Sequence, residues 1–138
     1  MLGLDVGDKR IGVALGDDEV WLASPLTTLF CKGIPDDYHA IADLARVHAV
    51  SCFVIGLPLS MDGSLGSQGR KIQWFARGLR AMCAVPVTTW DERLTTVEAD
   101  RRLREIGVSG HRDKGRRDAV AAALLLQSYL DARRRVTS

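Results

Sequence analysis

A chain of 138 residues and 15.1 kDa is long enough to close one hydrophobic core and too short for two ordinary domains, so a single domain over 1–138 is expected. Hydrophobic residues make up 46% and charged ones 26%, which excludes a disordered chain, and the longest purely apolar run, Ala119 to Leu126, is far shorter than the ~20 residues that cross a bilayer. The net charge of +2 hides an asymmetry: residues 1–100 carry nine basic against thirteen acidic side chains, whereas residues 101–138 carry ten against four.

The N-terminus, Met1-Leu2-Gly3-Leu4-Asp5, has no basic patch leading into a long apolar stretch, so no secretory signal or transit peptide is read and the cytoplasm is the expected location. Residues 2–6 and 10–15 are short, apolar and β-rich, and Gly7-Asp8-Lys9 between them suits a tight reversal, which predicts a hairpin. Val20 to Ala23 supplies a third antiparallel strand. Pro35-Asp36-Asp37 opens a helix with acids in its first turn and Ile41, Leu44, Ala45 and His48 on one face. A buried strand follows at Cys52–Gly56. The stretch from Leu57 to Gly69, rich in Gly, Ser and Pro, reads as a long loop, and its part from Leu57 to Ser67, following a strand, favours a mobile substrate-binding loop over an inert linker. Ile72, Phe75, Ala76 and Leu79 then mark another helix, and Pro86 to Trp90 the next strand. Thr95 and Glu98 have the capping-box spacing, which predicts a helix stopping near Gly107. A Gly- and charge-rich loop to Gly115 leads into a last helix over about Arg116–Arg134. A hairpin followed by alternating helices and strands implies the α/β class: a mixed sheet, antiparallel at its start and parallel later, flanked by helices.

Three cysteines, Cys31, Cys52 and Cys83, lie too far apart for a metal knuckle and are odd in number, so buried reduced thiols are expected. His39, His48 and His111 likewise lack zinc spacing. Carboxylates are the unusual feature. Asp5 stands inside a strand, between Leu4 and Val6, where a charge needs compensation. Asp118 precedes Ala121, Ala122 and Leu125 on an apolar helix stripe, so it points inward, and Asp91 and Glu92 close a strand at the carboxyl edge where open α/β sheets place their ligands. Converging carboxylates repel unless a divalent cation opposes them. Oxygen ligands without Cys or His point to Mg²⁺ or Mn²⁺, and two such ions about 4 Å apart support phosphodiester hydrolysis. The basic cluster Arg101, Arg102, Arg104, Arg112, Lys114, Arg116 and Arg117 suits a polyanion, though a solvated helix face would look the same.

The stretch Leu4-Asp5-Val6-Gly7-Asp8-Lys9-Arg10-Ile11-Gly12-Val13-Ala14 resembles the opening motif of the YqgF family, also called RuvX, whose members are described as Holliday-junction resolvases and pre-16S rRNA processing nucleases with a ribonuclease H-like fold. Gly56 to Ser64, Trp90 to Thr96 and Lys114 to Ala122 are similar to its later motifs, in the family's order, so the resemblance covers nearly the whole chain. It implies a metal-binding and catalytic triad of Asp5, one acid of the Asp91–Glu92 pair, and Asp118. Glu92 is favoured as the second ligand, but strand alternation groups Asp91 with Val87 and Thr89, and Glu92 with Thr88 and Trp90, without saying which face carries the site. Lys9, Arg10, Arg93, Arg112, Lys114 and Arg116 are the candidate substrate contacts. Gly12 is assigned to turn chemistry, Trp21, Trp74 and Trp90 to core or partner surface, and Gly16 stands where the family's first motif has a serine.

The expected activity is therefore a Mg²⁺- or Mn²⁺-dependent nuclease on structured nucleic acid, with RNA in ribosomal RNA maturation favoured. A four-way DNA junction resolvase, which requires a symmetric dimer, is the alternative, so the chain is expected as a monomer or a homodimer. A non-catalytic RNA- or transcription-complex-binding module is the reading from another class. A sugar-kinase- or actin-like half shares the Asp-x-Gly strand start but fails on length, because that site lies between two such domains.

Overall fold

The computed structural model describes residues 1–108 and 116–137. In chain order it comprises β1 (Leu2–Val6), β2 (Arg10–Asp17), β3 (Leu22–Phe30), α1 (Asp36–Val47), β4 (Phe53–Leu57), α2 (Ser67–Met82), β5 (Val87–Asp91), a 3₁₀ turn (Glu92–Leu94), α3 (Val97–Glu105) and α4 (Arg117–Thr137). The five strands form one sheet in the order β3-β2-β1-β4-β5. β1, β2 and β3 pair antiparallel, while β4 and β5 join parallel through helical crossovers, as the sequence implies.

Alternation along each strand sends alternate side chains to opposite faces. Leu2, Leu4, Ile11, Val13, Phe53 and Ile55 pack with Ile41 of α1 and with Ile72, Phe75 and Leu79 of α2. The other face is lined by smaller residues, among them Ala14 and Val54, and is covered by Ala122, Ala123, Leu126 and Leu130 of α4. A Cβ on Gly3 would lie 2.9 Å from Leu126 Cβ, and one on Gly16 would lie 2.8 Å from Leu126 Cδ2. Residues without side chains therefore let the long helix lie directly on the strands.

Three elements differ from the sequence reading. β3 runs through Pro25 to Phe30 instead of ending at Ala23. Proline is tolerated because β3 is an edge strand and the ladder shifts register by one residue between Val13 and Ala14, beside Pro25. α2 starts at Ser67, shortening the loop before it. The cap of α3 is Thr96, whose hydroxyl accepts from Ala99 N at 3.0 Å; Thr95 instead closes the preceding 3₁₀ turn onto Glu92 O, and Glu98 turns to Arg102. Among the described residues no helix is long and apolar enough to cross a membrane.

Candidate active site

Asp5 ends the α4-facing register of β1, two residues beyond Gly3. Its ladder partner is Gly12 of β2. A Cβ on Gly12 would collide with the backbone carbonyl of Asp118, so the first turn of α4 can seat on β2 only because that position is glycine. Gly12 lies within the strand and not in the reversal, so close approach is what demands it, not the turn chemistry expected from sequence. The same contact brings Asp118 alongside Asp5. Asp118 is one-third exposed and accepts from Arg10 Nε at 2.7 Å, so it lies at the rim of the apolar stripe and not inside it.

Asp91 and Glu92 take different tasks. Trp90 marks the α4 face of β5: its ring packs edge-on against Tyr129 with centroids 5.3 Å apart, and its Nε1 donates to Ser128 Oγ at 3.0 Å. Glu92, two residues on, reaches over Gly56, and a Cβ there would lie 2.7 Å from Glu92 Oε1 and 2.9 Å from Leu125 Cδ2. Asp91 is occupied elsewhere. It accepts from Arg93 N at 2.9 Å and forms a forked pair with the Arg93 guanidinium, Nη2 to Oδ2 at 2.8 Å. Arg93 Nη1 in turn donates to Ser60 O and Met61 O.

Charge follows this layout. Burial, then the neighbouring Asp118, pushes the Asp5 carboxyl above its usual range. Burial, then Asp5 and Asp91, does the same to Glu92. The Arg93 hydrogen bond pulls Asp91 down. Asp5 is thus crowded by acids from two other elements, whereas Asp91 already has its cation. Among the described residues no three Asp, Glu, His or Cys side chains close into a metal cage, and Asp118 is held by Arg10. The donor set nonetheless fits a hard divalent cation: it is all oxygen, comes from three elements, and carries a mutual repulsion that such a cation relieves.

Of the basic candidates, Arg10 and Arg116 line a hollow of about 700 Å³ between β3 and the start of α4. Arg117 and Thr28 share its wall, and the Thr28 hydroxyl is buried without a partner among the described residues. The sequence reading passed over Thr28, whose position opposite Gly12 depends on the β2–β3 register. Gly56 was also missed, although a glycine inside a strand signals close approach. Lys9 is exposed in the turn after β1. Arg93 faces the loop. That loop is no open strap: Leu59 bridges Leu65, Ser60 N donates to Ser64 O, and Arg93 fastens Ser60 and Met61. Arg112 and Lys114, together with His111, lie outside the described residues. The three cysteines are free but half-buried instead of buried.

A family model described as RuvX, Holliday junction resolvase, matches residues 1–132. A relative from Caldanaerobacter subterraneus subsp. tengcongensis is 45% identical over 136 residues, covering 97% of both chains. One from Syntrophus aciditrophicus is 48% identical over 132 residues, covering 96% of this chain and 88% of its own. Both carry the provisional name pre-16S rRNA nuclease. Among solved structures, RuvC of T. thermophilus in complex with a Holliday junction substrate superposes with a TM-score of 0.58 at 19% identity, covering 96% of this chain and 94% of that one. The fowlpox virus Holliday junction resolvase gives 0.52 at 13% identity, covering 95% and 96%. At such identities these structures speak for the fold alone, which is ribonuclease H-like. With a family match that runs from the first strand well into α4, and relatives nearly half identical along their length, this chain belongs to the RuvX family.

Proposed function

We propose that this chain is a divalent-metal-dependent nuclease that hydrolyses phosphodiester bonds in structured RNA, acting at the 5′ end of pre-16S rRNA. One observation carries the reading: Asp5 of β1 has Asp118 of α4 and Glu92 after β5 as acidic neighbours, and Asp118 shares the wall of a hollow with Arg10, Arg116 and Arg117. The names of the relatives support RNA as the substrate. Asp5, Glu92 and Asp118 would hold two Mg²⁺ or Mn²⁺ ions, which when bound supply a water of lowered pKa and positive charge for the leaving oxygen. The chain's own residues do the positioning. Gly12 and Gly56 set the depth of Asp118 and Glu92, Arg10 orients Asp118, and the arginines of the hollow present donors to phosphate oxygens. Arg93 braces the loop after β4 against Asp91. Lys9, Arg112 and Lys114 complete the proposed substrate contacts. We further propose that the protein acts as a single domain in the cytoplasm.

The test is incubation of pure protein with labelled structured RNA, single-stranded RNA, duplex DNA and a four-way junction, with Mn²⁺, Mg²⁺ or EDTA. Structured RNA is cut with either metal and untouched in EDTA. Full activity in EDTA, trace metal excluded, overturns the reading, and binding without metal-dependent cleavage identifies a non-catalytic module. The description of the family model favours a second reading, a junction resolvase. Paired incision of the junction by a homodimer would select it, since two coordinated cuts need two symmetric sites.

A further inference from the structure

Helix α2 has one face buried against the sheet and another in solvent. Gly69, Ile72, Phe75, Ala76 and Leu79 are buried. Arg70, Lys71, Trp74 and Arg77 lie on the exposed side at spacings of three and four residues, which places them one above another. The 16 residues of α2 include four basic side chains and no acid. Trp74 is 62% exposed, whereas Trp21 and Trp90 pack partly against the sheet. A tryptophan held in water within a cationic stripe is a poor core residue and a good platform for a base.

A groove of about 710 Å³ runs along this face, lined by Trp74, Arg70, Lys71, Ile34, Gly7 and Asp8. Gly7 and Asp8 directly follow β1, so the groove opens within two or three residues of Asp5, at the same sheet edge but around the turn from the carboxylates. Lys71 Nζ spans toward that turn, 3.9 Å from Asp8 Oδ1, and the exposed Arg70 donates through Nη1 to Leu65 O at 3.1 Å. We propose that this groove binds an unpaired stretch of nucleic acid flanking the cleavage site, with one base stacked on Trp74 and the backbone on Arg70 and Lys71 of the groove and on Arg77, one helical turn past Trp74 on the same exposed side of α2.

This inference rests on the nucleic-acid reading of the neighbouring site and adds to it the form of the substrate: structure at the carboxylates, a single strand over α2. Stacking requires a free base face, which a duplex does not offer. Charge argues against a second copy of the chain as occupant, because a symmetric contact would set one all-basic helix against another.

Binding in EDTA of two RNA hairpins, one blunt and one with an unpaired flank, tests this with wild type, Trp74→Ala, Trp74→Phe and Arg77→Ala. Wild type favours the flanked hairpin. Trp74→Ala weakens binding of the flanked hairpin by roughly tenfold or more and leaves the blunt one unchanged, while Trp74→Phe recovers most of the loss. Arg77→Ala lowers the salt dependence on the flanked hairpin by about one unit of log–log slope. Wild-type flank preference in Trp74→Ala, or equal losses on both hairpins at unchanged melting temperature, overturns the proposal. So does sedimentation showing that Trp74→Ala merely turns a dimer into monomers. Cleavage of the blunt hairpin with Mn²⁺ by wild type separates the two readings. Cleavage without flank preference leaves the nuclease and removes the groove; flank preference through Trp74 without cleavage of any RNA keeps the groove and removes the nuclease.

Discussion

Two adjacent acids, Asp91 and Glu92, and one distant acid, Asp118, show how a carboxylate's role depends on what already neutralises it. Asp91 has a forked arginine, while Asp118 has a single Nε–H from Arg10. The Arg10 and Asp118 side chains are 51% and 34% exposed, so losing their pair costs at most about 1 kcal/mol. Asp118→Asn also relieves the charge that burdens Asp5. The metal-free variant should therefore melt near wild type, bind RNA, and lose cleavage by several orders of magnitude, because the missing interaction belongs to the transition state. Asp91→Asn should instead free Arg93 and the turn at Ser60 and Met61, weakening substrate binding with turnover retained. Melting curves and single-turnover cleavage on the same preparations check both; retained cleavage in Asp118→Asn removes it from the site.

At the scale of elements, the seating of α4 on the sheet decides the site. Gly12→Ala sets a methyl against the Asp118 carbonyl, a backbone atom that cannot rotate away. The variant is expected to lose about 1–3 kcal/mol and most of its cleavage together, read from urea unfolding and turnover. The far side of α4 is joined to α3 by charge. Glu98 accepts from Arg102 at 2.9 Å and lies 3.6 Å from Arg135, while Arg102 Nε is 3.3 Å from the buried Asp131. Arg102 holds the Glu98 carboxyl below its ordinary 4.5, so the contribution of Glu98 is complete above that pH and disappears as pH falls through its lower folded value. Thermal melts of wild type and Glu98→Gln should accordingly differ at neutral pH and converge in acid; a gap that persists in acid assigns the difference to packing.

Across the whole molecule the charge is segregated, with the last 38 residues strongly basic against an acidic remainder. Arg116 and Arg117 stand where that basic end meets the hollow beside the carboxylates. Replacing both with alanine should weaken RNA binding and flatten its log–log salt dependence by about two units, one for each phosphate contact. An unchanged slope in a salt titration shows a solvated face. The double variant should keep its melting temperature, since both side chains are exposed.

The strand and helix order, the mixed sheet and the acids at issue were all readable in the sequence, because apolar periodicity and a charge inside an apolar run are local signals. Pro25 hid the rest of β3 for an equally local reason: it breaks the strand pattern, and only its place on an edge beside a bulge makes it tolerable. The choice of face was never local. Asp91 ends β5 and Glu92 opens the turn after it, and which of them meets Asp5 depends on α4 covering the Gly3, Gly12 and Gly56 side of the sheet while α1 and α2 cover the other. The exposure of Trp74 belongs to the same class. Its helical position is legible in sequence, but its burial is set by how α2 rolls Ile72, Phe75 and Leu79 onto the sheet, which leaves the indole in water. Local chemistry names the residues; packing between distant segments decides which of them share a site.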